Sequence, residues 1–167
     1  MANQSSHKDR GAAEAARFGI SRSPEWPKVQ EEHLKIQPHC MACKPGTNSS
    51  SGLQVHHIFP FHYCVKLGRP DLELDQRNLI TLCENEKGRP GEDHHLLVGH
   101  LDDFQSSNLD VVADATKTFH GMTANQIRKN PQWQKEQKGR LKPLDKMTPQ
   151  DEADFTAKMN ARFPKKQ

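Results

Sequence analysis

Cys40-Met41-Ala42-Cys43 places two thiols three positions apart, the spacing at which a tight turn aims both at one tetrahedral ion. Cys83 follows an apolar run and offers a third ligand, and His94 closes the set if the chain between Glu84 and Asp93 bulges away. Cys64 is the competing fourth ligand, although its place after Phe61-His62-Tyr63 suits a free buried thiol better. A second set of groups is built from adjacent histidines, His56-His57 and His94-His95. Successive side chains on a strand point to opposite faces, so His56 and His57 cannot both reach one ion. One of them can bind metal while the other takes a proton from water, as a histidine near neutral pH is able to do. Such a base must be held in one tautomer by an amide or a backbone carbonyl. Asn78 is placed to supply that contact across a hairpin, and His95 to complete the metal site. His100 is five positions beyond His95, which on an α-helix is about 140° away from alignment.

The elements that must carry these groups are short. Leu53 to Ile58 reads as a strand stopped by Pro60, and Asn78 to Leu82 as a second strand ending at Cys83. A helix is expected from His94 to Leu101, with Leu96, Leu97, Val98 and Leu101 for packing. Upstream, Ser23-Pro24 reads as a helix start, and the helix runs to about Lys35 with Trp26, Val29, His33 and Ile36 on one face. Residues 60–77 read as a long surface connection, and Lys44 to Gly52 as a Gly/Ser/Asn/Pro loop. Residues 1–22 read as a polar arm with a short helix around Ala12–Phe18, and Thr148-Pro149 starts a late helix over about Asp151–Arg162. The fold class is therefore α+β, divided as an N-terminal arm and helix (1–36), a core with the metal-capable residues (37–113) and a basic helical extension (114–167).

Composition limits the alternatives. The chain has 167 residues, 33% of them hydrophobic, with a mean hydropathy of −0.92, so a small core stapled by metal is expected. No apolar run approaches a membrane span, and the N-terminus has no apolar signal centre, so no membrane partner and a cytosolic location are expected. In the cytosol, cysteines in this pattern favour metal over disulfides. Residues 40–116 hold six basic and eleven acidic side chains, whereas residues 117–167 hold twelve basic and five acidic. Bound cations would offset the acidic part, and the basic part is a candidate phosphate-binding arm. Lys66, Arg69, Arg77 and Arg89 fall in loops beside the histidines and are available to phosphates. His7, His33, His39, His62 and His120 have no partner at ligand spacing and read as surface or packing groups, and Trp26 and Trp133 as core anchors.

The order Cys-x-x-Cys, Val-His-His-Ile-x-Pro, Asn-Leu-Ile-x-Leu-Cys and His-His-Leu-Leu-x-Gly-His resembles the HNH endonuclease family over about Cys40 to Val111. Arg22-Ser23-Pro24-Glu25-Trp26-Pro27 and Asp103-Phe104-Gln105-Ser106 are also similar to small family members. The resemblance implies a ββα-metal core of two strands and a helix on one divalent ion, with a separate structural zinc. It implies that His56 and His95 bind the catalytic ion (Mg²⁺, Mn²⁺ or Ni²⁺), His57 is the general base, and Asn78 orients it. Cys40, Cys43 and Cys83 would hold zinc, with His94 in place of the family's second Cys-x-x-Cys. Gly99 occupies the position one turn after His95, so the further ligand role falls to His100. The function implied is hydrolysis of DNA phosphodiester bonds, with double-stranded DNA as partner. Two other readings remain: a non-catalytic zinc module that binds DNA or assembles with a larger machine, as in phage DNA packaging, and a metal hydrolase of RNA or another phosphodiester.

Overall fold

The computed structural model describes residues 16–46, 52–84 and 93–167. His7, Arg89, most of the N-terminal arm and the stretch between Glu84 and Asp93 lie outside the described residues. Within them the protein combines helices with one two-stranded antiparallel sheet, as an α+β chain should. Helix α1 (Trp26–Ile36) starts two residues later than Ser23-Pro24 suggests. Ser23 does not cap a helix at Pro24: its backbone N–H goes to Glu73 Oε1 at 3.0 Å, while its Oγ accepts from the Glu25 N–H at 3.2 Å. The expected apolar face holds for Trp26, Val29 and His33 but fails at Ile36, which is 66% exposed where the helix ends.

Strands β1 (Leu53–His57) and β2 (Leu79–Cys83) pair antiparallel, with Leu53 opposite Cys83 and His57 opposite Leu79. Every residue of β2 is buried, because α1 packs on the sheet as well as the segment that follows β2. The connection between the strands differs from the surface loop expected for residues 60–77. It contains α2 (Phe61–Lys66) and two 3₁₀ turns, Pro70–Glu73 and Gln76–Asn78. Phe61, His62, Tyr63, Cys64, Arg69 and Leu72 are buried there. The strand ends at His57, three residues before Pro60, which serves as the N-cap of α2.

After β2 the chain forms a single π-helical turn, His95–Gly99, rather than the α-helix expected from His94 to Leu101. Helices α3 (Val111–Ala113), α4 (Ala124–Arg128), α5 (Pro131–Lys138) and α6 (Pro149–Arg162) follow. Thr148 and Asp151 form a reciprocal capping box at α6, which accounts for the legibility of that helix start in the sequence. The basic segment is not a separate arm. Trp133, Leu144, Phe155, Met159 and Phe163 belong to the same apolar cluster as Phe59, Ile80, Leu82 and Leu97. Arg69, expected among the phosphate-facing loop charges, is 1% exposed and spends its guanidinium on Asp71, Asn160 and the Phe163 carbonyl. Among the described residues, no helix is long and apolar enough to cross a membrane.

Candidate metal centres and the histidine between them

The first centre is assembled from three elements. Cys40 and Cys43 lie on the turn after α1, which the Met41 N–H ties to the Thr81 carbonyl of β2 at 3.0 Å. Cys83 ends β2, and His94 precedes the π-turn. His94 Nδ1 lies 3.6 Å from Cys40 Sγ, 3.4 Å from Cys43 Sγ and 3.3 Å from Cys83 Sγ, and the Cys43 and Cys83 sulfurs are 3.7 Å apart. A tetrahedral zinc with Zn–S of about 2.3 Å and Zn–N of about 2.0 Å requires S–S edges of about 3.8 Å and N–S edges of about 3.5 Å. The donor set and its spacing therefore fit a structural zinc. His94 Nε2–H donates to the Met122 carbonyl at 2.8 Å, so Nδ1 is the nitrogen turned to the three sulfurs.

The proton balance of these four groups agrees with that fit. S–H donation from Cys43 and then Cys83 holds Cys40 far below the ordinary thiol range, and Cys83, as a donor to Cys40 and Cys43, lies far above it. Burial opposes charge on His94, but contacts with Cys40 and Cys43 outweigh it and lift the ring to about 10. Protons shared in this way are what a divalent ion replaces. Cys64 takes no part: its buried thiol, pushed up to about 12 chiefly by burial, donates to the Phe59 carbonyl at 3.4 Å.

The second group joins His56 of β1 with His95 and His100 at the two ends of the π-turn. The ring centroids lie 5.3 Å (His56–His95), 4.7 Å (His56–His100) and 4.8 Å (His95–His100) apart. His100 Nδ1–H donates to the Ser106 carbonyl at 2.6 Å, so its Nε2 carries the lone pair, and that atom faces His95 Nε2 at 3.2 Å. Among the described residues, His56 Nε2 is buried with no hydrogen-bond partner. Three imidazoles that converge in this way, one with a buried orphan nitrogen, fit a divalent cation. Burial first, then His100, His95 and His57, holds His56 well below its ordinary value, so the ring stays neutral and able to ligate. Gly99 makes the approach possible: a Cβ there would come within 3.2 Å of the His56 ring and of Leu82 Cδ1. The misalignment of His100 expected from α-helical geometry disappears because a π-turn brings residues five apart to the same side.

His57 faces the other way, as strand alternation requires. Its Nε2–H donates to the Glu73 backbone carbonyl at 2.8 Å, which leaves Nδ1 as the proton acceptor. This role had been expected of Asn78. The Asn78 side chain instead accepts from the Phe59 N–H at 2.8 Å and donates to the Phe59 and Leu72 carbonyls at 3.0 Å each. It thus pins the connection that carries Glu73, and acts on His57 only through it. Trp26 packs against the His57 ring at 4.5 Å, so it is part of the site's wall rather than only a core anchor. The Arg22 guanidinium lies between Trp26 (4.6 Å) and Phe61 (3.9 Å), with its Nη1 3.9 Å from Glu73 Oε1. Burial first and Arg22 second push His57 down to about 3, so the ring is neutral at pH 7.

Phe104 lies tilted against His95 and His100, with ring centroids 5.7 and 5.0 Å apart. Sequence reasoning gave Arg22 and Phe104 no role and Trp26 only that of a core anchor, although their segments carried part of the family resemblance. Glu73 holds His57 through its backbone carbonyl and left no signal at all. Among the described residues, the remaining histidines are packing or surface groups. His33 and His62 are buried, His33 bonds Gln76 Oε1 at 2.7 Å, and His120 bonds the Met41 and Ala115 carbonyls at 3.1 Å each. Compared with known protein families, curated proteins and solved structures, the chain matches none.

Proposed function

We propose that the protein is a metal-dependent endonuclease of the HNH type that hydrolyses DNA phosphodiester bonds. The observation that carries this reading is the division of labour between His56 and His57, adjacent on β1: one turns into a three-histidine group, and the other is held neutral as a base. A divalent ion on His56, His95 and His100 would supply Lewis-acid stabilisation of the scissile phosphate and of the leaving 3′ oxygen. His57 Nδ1 takes the proton of the attacking water, and the Glu73 carbonyl keeps the ring in the tautomer that can do so. Arg22, fixed between two aromatic faces beside His57, offers its guanidinium to a phosphate oxygen. An arriving phosphate counteracts the effect of Arg22 on His57 and strengthens it as a base. The ends produced are 5′-phosphate and 3′-hydroxyl. In this reading the Cys40/Cys43/Cys83/His94 zinc is structural, the ββα element β1–β2–π-turn is the family's core, and basic side chains of residues 117–167 meet backbone phosphates.

The test is nicking of supercoiled plasmid in Ni²⁺, Mn²⁺ or Mg²⁺ by wild type and by His57→Ala, with metal uptake measured on both. Cleavage lost in His57→Ala with metal uptake intact is the expected result. Equal cleavage by both proteins, or none by wild type in any of the three ions, removes the catalytic assignment. One zinc per chain with no second ion taken up would favour the non-catalytic zinc module instead.

A further inference from the structure

A helix that ends after one π-turn leaves its last carbonyls without intrahelical donors. Beyond Gly99 the chain reverses through Leu101 and Asp102, whose φ angles are 52° and 66°. Residues with a Cβ hold that left-handed conformation only where the surroundings impose it. Those surroundings are identifiable. The Leu97 carbonyl accepts from Trp133 Nε1 at 2.8 Å, the Val98 carbonyl from Asn108 Nδ2 at 2.9 Å, and the Gly99 carbonyl from the Asn108 backbone N–H at 2.8 Å.

Asn108 is 5% exposed, and its polar groups are all engaged. Its amide also donates to Asp114 Oδ2 at 2.7 Å, and its Oδ1 accepts from the Asp110 N–H at 3.0 Å. Two residues earlier, the Ser106 carbonyl takes the His100 Nδ1 proton. The loop Ser106–Asn108 therefore grips the π-turn twice, at the backbone just before His100 and at the His100 ring.

We propose that Asn108 is a positioning residue of the three-histidine metal site, holding the π-turn open so that His100 reaches the same ion as His56 and His95. Without the amide, the Val98 carbonyl regains a donor when the turn tightens to α-helical pitch. That change swings His100 about 140° from alignment with His95. The inference rests on the reading that these three histidines bind a metal, and not on the nuclease activity.

The experiment is calorimetric titration of Ni²⁺ into protein whose Cys₃His site is already filled with zinc, with melting temperature recorded for each variant. Asn108→Ala removes the amide. The pair Asn108→Asp with Asp114→Asn restores the 108–114 hydrogen bond but not the donor to Val98. Tyr63→Phe, which loses a bond to the Lys142 carbonyl (2.7 Å) outside the histidine group, reports general destabilisation. Asn108→Ala is expected to bind Ni²⁺ about 10- to 100-fold more weakly. The double variant recovers melting temperature but not affinity, and Tyr63→Phe binds like wild type. Wild-type affinity in Asn108→Ala or in the double variant, or equal weakening in Tyr63→Phe, overturns the proposal. Wild type taking up no Ni²⁺ overturns the metal reading with it, whereas intact Ni²⁺ binding without DNA cleavage would count against the nuclease reading alone.

Discussion

Two equally buried cysteines should respond very differently to the same substitution. Cys83 and Cys64 are both 0% exposed, but Cys83 Sγ lies 3.3 Å from His94 Nδ1 and 3.7 Å from Cys43 Sγ, whereas Cys64 meets only the Phe59 carbonyl at 3.4 Å. Structural zinc contributes roughly 10–16 kcal/mol of binding energy in small zinc domains, so one of four ligands is worth roughly 3 kcal/mol. Cys83→Ser would also leave one of the buried groups Cys40, Cys43 and His94 poorly satisfied, at about 1–3 kcal/mol, since the other two still pair with each other. A loss of about 4–6 kcal/mol follows, a large part of the total stability of an ordinary domain. At about 2–4 °C per kcal/mol for a chain of this size, the melting temperature falls by roughly 10–20 °C. Cys64→Ser keeps the donor to Phe59 and costs about 1 kcal/mol, a shift of a few degrees. Zinc per chain by elemental analysis and thermal melting by circular dichroism read both effects. Retention of one zinc by Cys83→Ser, loss of zinc by Cys64→Ser, or equal melting shifts would refute the assignment of Cys83 as a ligand and of Cys64 as a bystander.

Among the described residues the three-histidine group is all imidazole, with Glu84 Oε1 4.0 Å from His95 Nδ1 and outside the group, so it should prefer Ni²⁺ or Co²⁺ over Mg²⁺ by about 100-fold or more in direct titration; comparable affinities would contradict an all-imidazole site. Acid should destabilise the fold well above the carboxylate range. His57 and His62 are held at about 3 and about 4 mainly by burial, whereas both titrate at about 6.5 once unfolded, so the unfolded chain binds more protons in between. Their stabilisation is complete above about pH 6.5 and is lost as pH falls towards 4; urea unfolding at fixed zinc should show His62→Gln with a shallower slope in that window, and an unchanged slope would rule the group out. Deletion of residues 149–167 should unfold the chain rather than merely weaken DNA binding. It removes Phe155, Met159 and Phe163 from the core and leaves the buried Arg69 guanidinium without Asn160 and the Phe163 carbonyl. A truncated chain with wild-type melting and far-ultraviolet dichroism would show the opposite.

Some of the site was legible because the physics that sets it is local. The Cys40–Cys43 spacing fits one turn, His56 and His57 must diverge on any strand, and Thr148 and Asp151 cap each other within a single turn. The apolar runs around Leu53 and Leu79 likewise identified the two strands to within a residue at either end. Other features have no local signature. Residues 60–77 looked like a long surface connection, and only packing beneath α6 shows why Arg69 is buried in it.

Asn78 stood out by its position and does serve the site, but by bracing a loop. The group that holds His57 is a backbone carbonyl, which every residue possesses and no sequence pattern marks. The pairing of His95 with His100 depends on a π-turn, and the donors that sustain it, Asn108 and Trp133, lie well downstream in the chain. Residue type and spacing along the chain determined which side chains could bind metal and that the two adjacent histidines must face opposite ways. Tertiary structure decided which nitrogen of each ring is free and which histidines converge, because both depend on partners distant in sequence.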